Sequence, residues 1–77
     1  MRKKYVKVIS ETDTDGNILP ITIIWDEYAK YNIDKVLDIR PCASLKSGGI
    51  GLRYTVRILG QTTYLYLEET KWFVEAK

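Results

Sequence analysis

A chain of 77 residues is long enough for one core and too short for two, since a unit of this size buries only about 60–65% of its unfolded surface, so a single domain over 1–77 is expected. Twelve Lys/Arg against ten Asp/Glu leave a net charge of +2, which does not by itself call for a polyanionic partner; a nucleic-acid reading must rest on where the charges sit. The absence of His excludes Ser–His–Asp and Cys–His catalysis, and the single Cys42 excludes an internal disulfide.

No run approaches the ~20 apolar residues of a membrane helix, and the basic start MRKK is not followed by the apolar stretch of a signal peptide. A soluble cytoplasmic protein with no membrane partner is the expectation. In chain order, Val6 and Val8 alternate with Lys7, the period-two pattern of a half-buried strand. Asp15-Gly16 then stands between two apolar runs, and both residues tolerate positive φ, so a two-residue hairpin turn is predicted there. That turn sets Val8 opposite Ile23, Val6 opposite Trp25, Ser10 opposite Ile21 and Lys7 opposite Ile24. Pro20 has no N–H to give a ladder, so it marks a strand start, an edge or a bulge, with the strand proper beginning at Ile21.

Asp26 to Lys30 has loop composition. Beyond it Tyr31, Ile33, Leu37 and Ile39 share one parity, and Val36 breaks it, which predicts a bulge or bend near Asp34-Lys35. A short helical turn over Asp34–Asp38 is the competing reading, disfavoured by the β-branched content. Arg40-Pro41 is expected to close this element. The stretch from Cys42 to Gly51 lacks strand patterning and is expected to be a loop. Leu52, Tyr54, Val56 and Ile58 then alternate with Arg53, Thr55 and Arg57. A turn at Gly60-Gln61 would pair Val56 with Leu65 and Tyr54 with Leu67 on one side. On the other it would pair Arg57 with Tyr64, Thr55 with Tyr66 and Arg53 with Glu68. Trp72 to Ala76 returns after the polar corner Glu68–Lys71.

Five or six short strands with tight turns predict an all-β fold: a small antiparallel barrel or strongly curved meander, SH3-like, with an OB-like barrel as the alternative. At Pro20-x-x-x-x-Trp25, Tyr31-x-Ile33-x-x-Val36-Leu37 and Trp72-x-Val74-Glu75 the chain resembles short bacterial all-β domains of families without known function. The resemblance spans Pro20 to Glu75. It rests on apolar and turn positions and implies a fold and no functional residue.

Three motifs invite chemistry. Glu11, Asp13 and Asp15 before Gly16 resemble the first half of a calcium loop, but the closing bidentate Glu is absent, with Thr22 in its place, and Asp and Gly are what the turn itself needs. Ser47-Gly48-Gly49-Ile50-Gly51 lacks the P-loop spacing and precedes a strand rather than a helix, so a plain loop is the better reading, with Lys46 and Arg53 only a basic flank. Cys42 has no His to activate it and is expected to pack. No cofactor or metal is expected, and the protein is expected not to be an enzyme.

The remaining constellation is Arg53, Arg57, Tyr64 and Tyr66, placed together on the outward face of the second hairpin. Lys7 adds charge, and Arg2, Lys3 and Lys4 follow if the first strand lies alongside. Cations interleaved with aromatic rings suit phosphate contact and base stacking, which predicts an accessory nucleic-acid-binding module. The bland reading is that Tyr and Thr are good strand formers and Arg over Tyr an ordinary cation–π pair. Ile9, Ile24, Leu59 and Phe73 lie opposite the core parity, so the alternative is a protein-interaction or homodimer module using exposed apolar surface or an unpaired strand edge.

Overall fold

The structure is a computed structural model and describes residues 2–43 and 50–76. Seven strands form: β1 (Arg2–Thr12), β2 (Ile18–Ile24), β3 (Lys30–Asn32), β4 (Lys35–Ala43), β5 (Ile50–Ile58), β6 (Gln61–Glu68) and β7 (Lys71–Ala76). They make one antiparallel sheet in the order β3-β2-β1-β7-β6-β5-β4, curled into a half-barrel, with no helix among the described residues. The eleven-residue β1 organises this order. Its first half, Arg2 to Val6, pairs with β7, and its second half, Lys7 to Thr12, pairs with β2.

The first hairpin differs from expectation by two irregularities that cancel. Asp13 and Asn17 close its tip, with the Asp13 N–H donating to the Asn17 carbonyl at 2.9 Å and the Gly16 N–H to the Asp13 carbonyl at 3.0 Å. The loop is therefore the three residues Thr14-Asp15-Gly16, not Asp15-Gly16 alone, and Gly16 holds a φ of +87° that a side chain would resist. Ser10 consequently faces Pro20 rather than Ile21. One extra residue on β2, Ile21, then restores the expected pairs Val8–Ile23 and Lys7–Ile24. Pro20 lies within β2 beside this bulge.

The second hairpin turns at Leu59-Gly60, one residue before the expected site, with both central φ angles positive as a type I′ turn requires. Every expected pair moves by two: Tyr54 faces Leu65, Leu52 faces Leu67, Arg53 faces Tyr66, Thr55 faces Tyr64 and Arg57 faces Thr62. A shift of two leaves each side chain on its expected face.

The element after the first loop splits. β3 pairs with β2, whereas β4 pairs with β5, so the chain crosses from one flank of the half-barrel to the other at Ile33-Asp34, the predicted bend. This split supplies the seventh strand. The bulge itself falls at Leu37, between Val36 and Asp38, and no helical turn forms there. Pro41 does not end the strand: it faces Leu52, and β4 runs on to Ala43, because an edge strand tolerates a residue without an N–H. Of the expected Cys42–Gly51 loop, both ends belong to strands; Lys46 and Ser47-Gly48-Gly49 lie outside the described residues.

Inside the curl Ile23, Tyr54, Val56, Leu65, Leu67 and Trp72 are buried, with Val6, Val8, Val36 and Val74 packed against them. Tyr54 and Trp72 meet at 5.1 Å between ring centroids. The Tyr54 hydroxyl donates to the Ile18 carbonyl at 2.5 Å, joining β5 to β2 across the curl, and burial pushes its pKa up. Trp25 is half-buried just past β2, with Tyr31 edge-on at 6.4 Å and the Lys4 ammonium 3.9 Å above its ring.

Candidate nucleic-acid interface

The strand registers carry one transverse row of side chains across the outer face: Arg53 opposite Tyr66, Tyr66 opposite Phe73, Phe73 opposite Tyr5. Cross-strand pairs on one face are in contact range, and here they become an aromatic ladder. Tyr66 stacks on Phe73 at 4.9 Å with planes 5° apart, and Tyr5 meets Phe73 edge-on at 5.7 Å. Phe73 is 7% exposed although it points away from the core; its neighbours cover it. Above the ladder the Lys3 ammonium lies 4.6 Å from the Phe73 centroid and reaches Glu68 at 2.9 Å, and that hydrogen bond holds its pKa up.

Arg53 leans diagonally over Tyr64, its guanidinium carbon 4.6 Å from the ring centroid, and its Nε is buried with no partner among the described residues. Arg40 on β4 stands opposite Arg53, and Asp38 offsets the like charge by holding the Arg40 Nε at 2.6 Å. Tyr66 is half-buried, and burial, with a hydrogen bond to Glu75, pushes its pKa to about 12. A cavity of about 340 Å³ opens among Thr63, Tyr64, Tyr66 and Glu75.

The structure thus brings Arg53, Tyr64 and Tyr66 together. Arg57 shares their face, exposed and opposite Thr62 near the end of the hairpin. Lys7 shares the face too, three strands away on β1, where it is exposed and opposite Ile24. Among the described residues neither Lys7 nor Arg57 has an ion-pair partner. The basic N-terminus divides by strand parity: Lys3 and Lys7 turn outward, Lys4 goes to Trp25.

Sequence reasoning missed Tyr5, Lys71 and the central role of Phe73 on this face. Tyr5 is 47% exposed, as is Tyr64, and the Lys71 ammonium lies 5.9 Å from its ring. The parity of Phe73 was visible, but its place beside Tyr66 and Tyr5 depends on β7 lying between β6 and β1, a long-range pairing with no local signature. The four apolar residues set opposite the core parity do not form one patch: Phe73 is covered, Ile24 is half-buried, Ile9 is 50% exposed and Leu59 occupies a turn.

Elsewhere, both carboxylate oxygens of Asp13 accept hydrogen bonds within its own turn, from the Asp15 and Asn17 N–H groups and the Asn17 side chain; the Asn17 bonds hold its pKa low. The acidic tip is thus used by the hairpin. Cys42 sits half-buried in β4 opposite Gly51. No protein-family model, curated protein or solved structure matches this chain.

Proposed function

We propose that the protein is a non-catalytic binding module that takes single-stranded nucleic acid on the outer face of β1, β7, β6 and β5. The observation that supports this is the pair of half-exposed rings, Tyr5 and Tyr64, each with a cation beside it, on a face that also carries Arg57 and Lys7, which have no carboxylate partner among the described residues. Rings of this kind accept any base by stacking, and the cations that flank them, Lys7 beyond Tyr5 on β1 and Arg57 beyond the Thr55–Tyr64 pair on β5, suit the phosphates. One side of the Tyr66 ring is on Phe73 and its hydroxyl is engaged by Glu75, so it supports its cross-strand partner Arg53 rather than stacking a base itself.

Fluorescence anisotropy with a labelled mixed-sequence oligonucleotide tests the reading. Three or four phosphate contacts give a log–log salt slope of about −2 to −3 for a single strand. Arg57→Ala should reduce that slope by about one phosphate's share, roughly 0.7, with the fold intact. Tyr64→Ala should weaken binding by about 1–3 kcal/mol per lost stack while leaving the slope unchanged. Absence of binding at the lowest salt, or equal binding by both variants, would overturn it.

A further inference from the structure

The opening of the half-barrel lies between β2 and β4, away from the basic face. Both strands leave a common vertex, where the Ile33 N–H donates to the Ile21 carbonyl at 2.9 Å and the Asp34 N–H to the Arg57 carbonyl at 2.8 Å. Past that vertex no ladder joins them. β4 pairs with β5 alone and leaves its second edge unpaired toward the gap, whereas the Ile18–Pro20 stretch of β2 is already engaged there: the Ile18 carbonyl accepts from Tyr54, and Pro20 has no N–H. A cavity of about 610 Å³ fills the gap, lined on its apolar side by Leu19, Ile21, Ile33, Val36, Leu37 and Ile39. The bulged residue of each strand, Ile21 on one wall and Leu37 on the other, faces it; Ile21, Leu37 and Ile39 are 41%, 40% and 37% exposed. Bulges of this kind re-aim side chains and end regular pairing.

The two walls decide what fits. A folded sheet, including the edge of a second copy, presents one free edge and brings its next strand with it, which would meet the opposite wall. A lone extended segment can pair along the free edge of β4 and lay its side chains on the apolar lining without bringing a second strand. Charge sets the rest: Glu11, Asp34 and Asp38 line the gap against Lys35 alone, with Asp38 shared by Arg40, so the groove is acidic in a protein of net positive charge. We propose that the gap between β2 and β4 is a docking groove for an extended peptide segment of another protein, with apolar side chains at alternate positions and basic residues at its ends, added as a further strand.

The test uses the whole chain and a synthetic peptide of alternating valine and threonine with lysine at both ends, followed by ¹⁵N-amide NMR. The expected result is saturable binding with shifts at Leu19, Ile21, Leu37 and Ile39. The same peptide N-methylated at every second residue, which removes the main-chain donors of one edge, should bind at least about tenfold more weakly. Ile39→Lys should weaken binding by a similar factor, whereas Ile9→Lys, at an exposed apolar position outside the groove, should leave it unchanged. No saturable binding, equal binding by the N-methylated peptide, or shifts confined to Tyr5, Arg53 and Tyr64 would overturn the proposal. So would sedimentation showing the free protein to be a dimer that Ile39→Lys dissolves, because a second copy would then occupy the groove.

Discussion

Leu59 holds a φ of +51° while 79% exposed, so its side chain contributes little packing and its backbone sits where a Cβ is crowded by the following carbonyl. The strain is the consequence of a two-residue turn whose twist matches the strands and whose first position suits Asn or Asp. Leu59→Asn is expected to raise stability by about 1 kcal/mol, read as a higher urea midpoint with an unchanged m-value. The same position explains why the turn was misplaced by one residue. Gly60 is a turn signal wherever it stands in the pair, and a leucine at positive φ carries no signal at all.

Among elements, the row Arg53–Tyr66–Phe73–Tyr5 joins four strands, and its titration is predictable. The fold favours neutral Tyr66, pushed to about 12 first by burial and then by Glu75, whereas an unfolded tyrosine titrates near 10. A raised pKa means that this group's contribution is full below about pH 10 and is lost as pH rises toward 12. Tyr66→Phe keeps the ring on Phe73 and removes the ionisation. Its stability should fall less than that of the parent between about pH 10 and pH 12, measured by urea unfolding at each pH. The faces of both hairpins were legible in the sequence because the period of two survives a register error of two, as Tyr54 and Arg53 show by reaching their expected sides with different partners. The compensating bulge at Ile21 was half-legible through Pro20. The β1–β7 pairing was not, since Lys3–Glu75 and Tyr5–Phe73 are contacts between the chain's two ends, and no turn announces them.

For the whole molecule, that end-to-end pairing matters most, because it turns two hairpins into one curled sheet with a single outer face and a single opening. The face gathers Lys3, Tyr5 and Lys7 from one end of the chain with Arg53, Arg57 and Tyr64 from the other. The opening is where β3 and β4 part, and its walls are acidic and apolar rather than basic and aromatic. Two surfaces of different chemistry on opposite strand edges and faces can be engaged independently, and a ligand's footprint identifies which one it uses.

The most direct test is a ¹⁵N-amide NMR titration with mixed single-stranded oligonucleotide at low and then moderate salt. The account expects shifts clustered at Tyr5, Arg53, Arg57 and Tyr64 that recede as salt rises, with Leu19, Leu37 and Ile39 unmoved. An unchanged spectrum, or shifts at the groove that persist in salt, would contradict it.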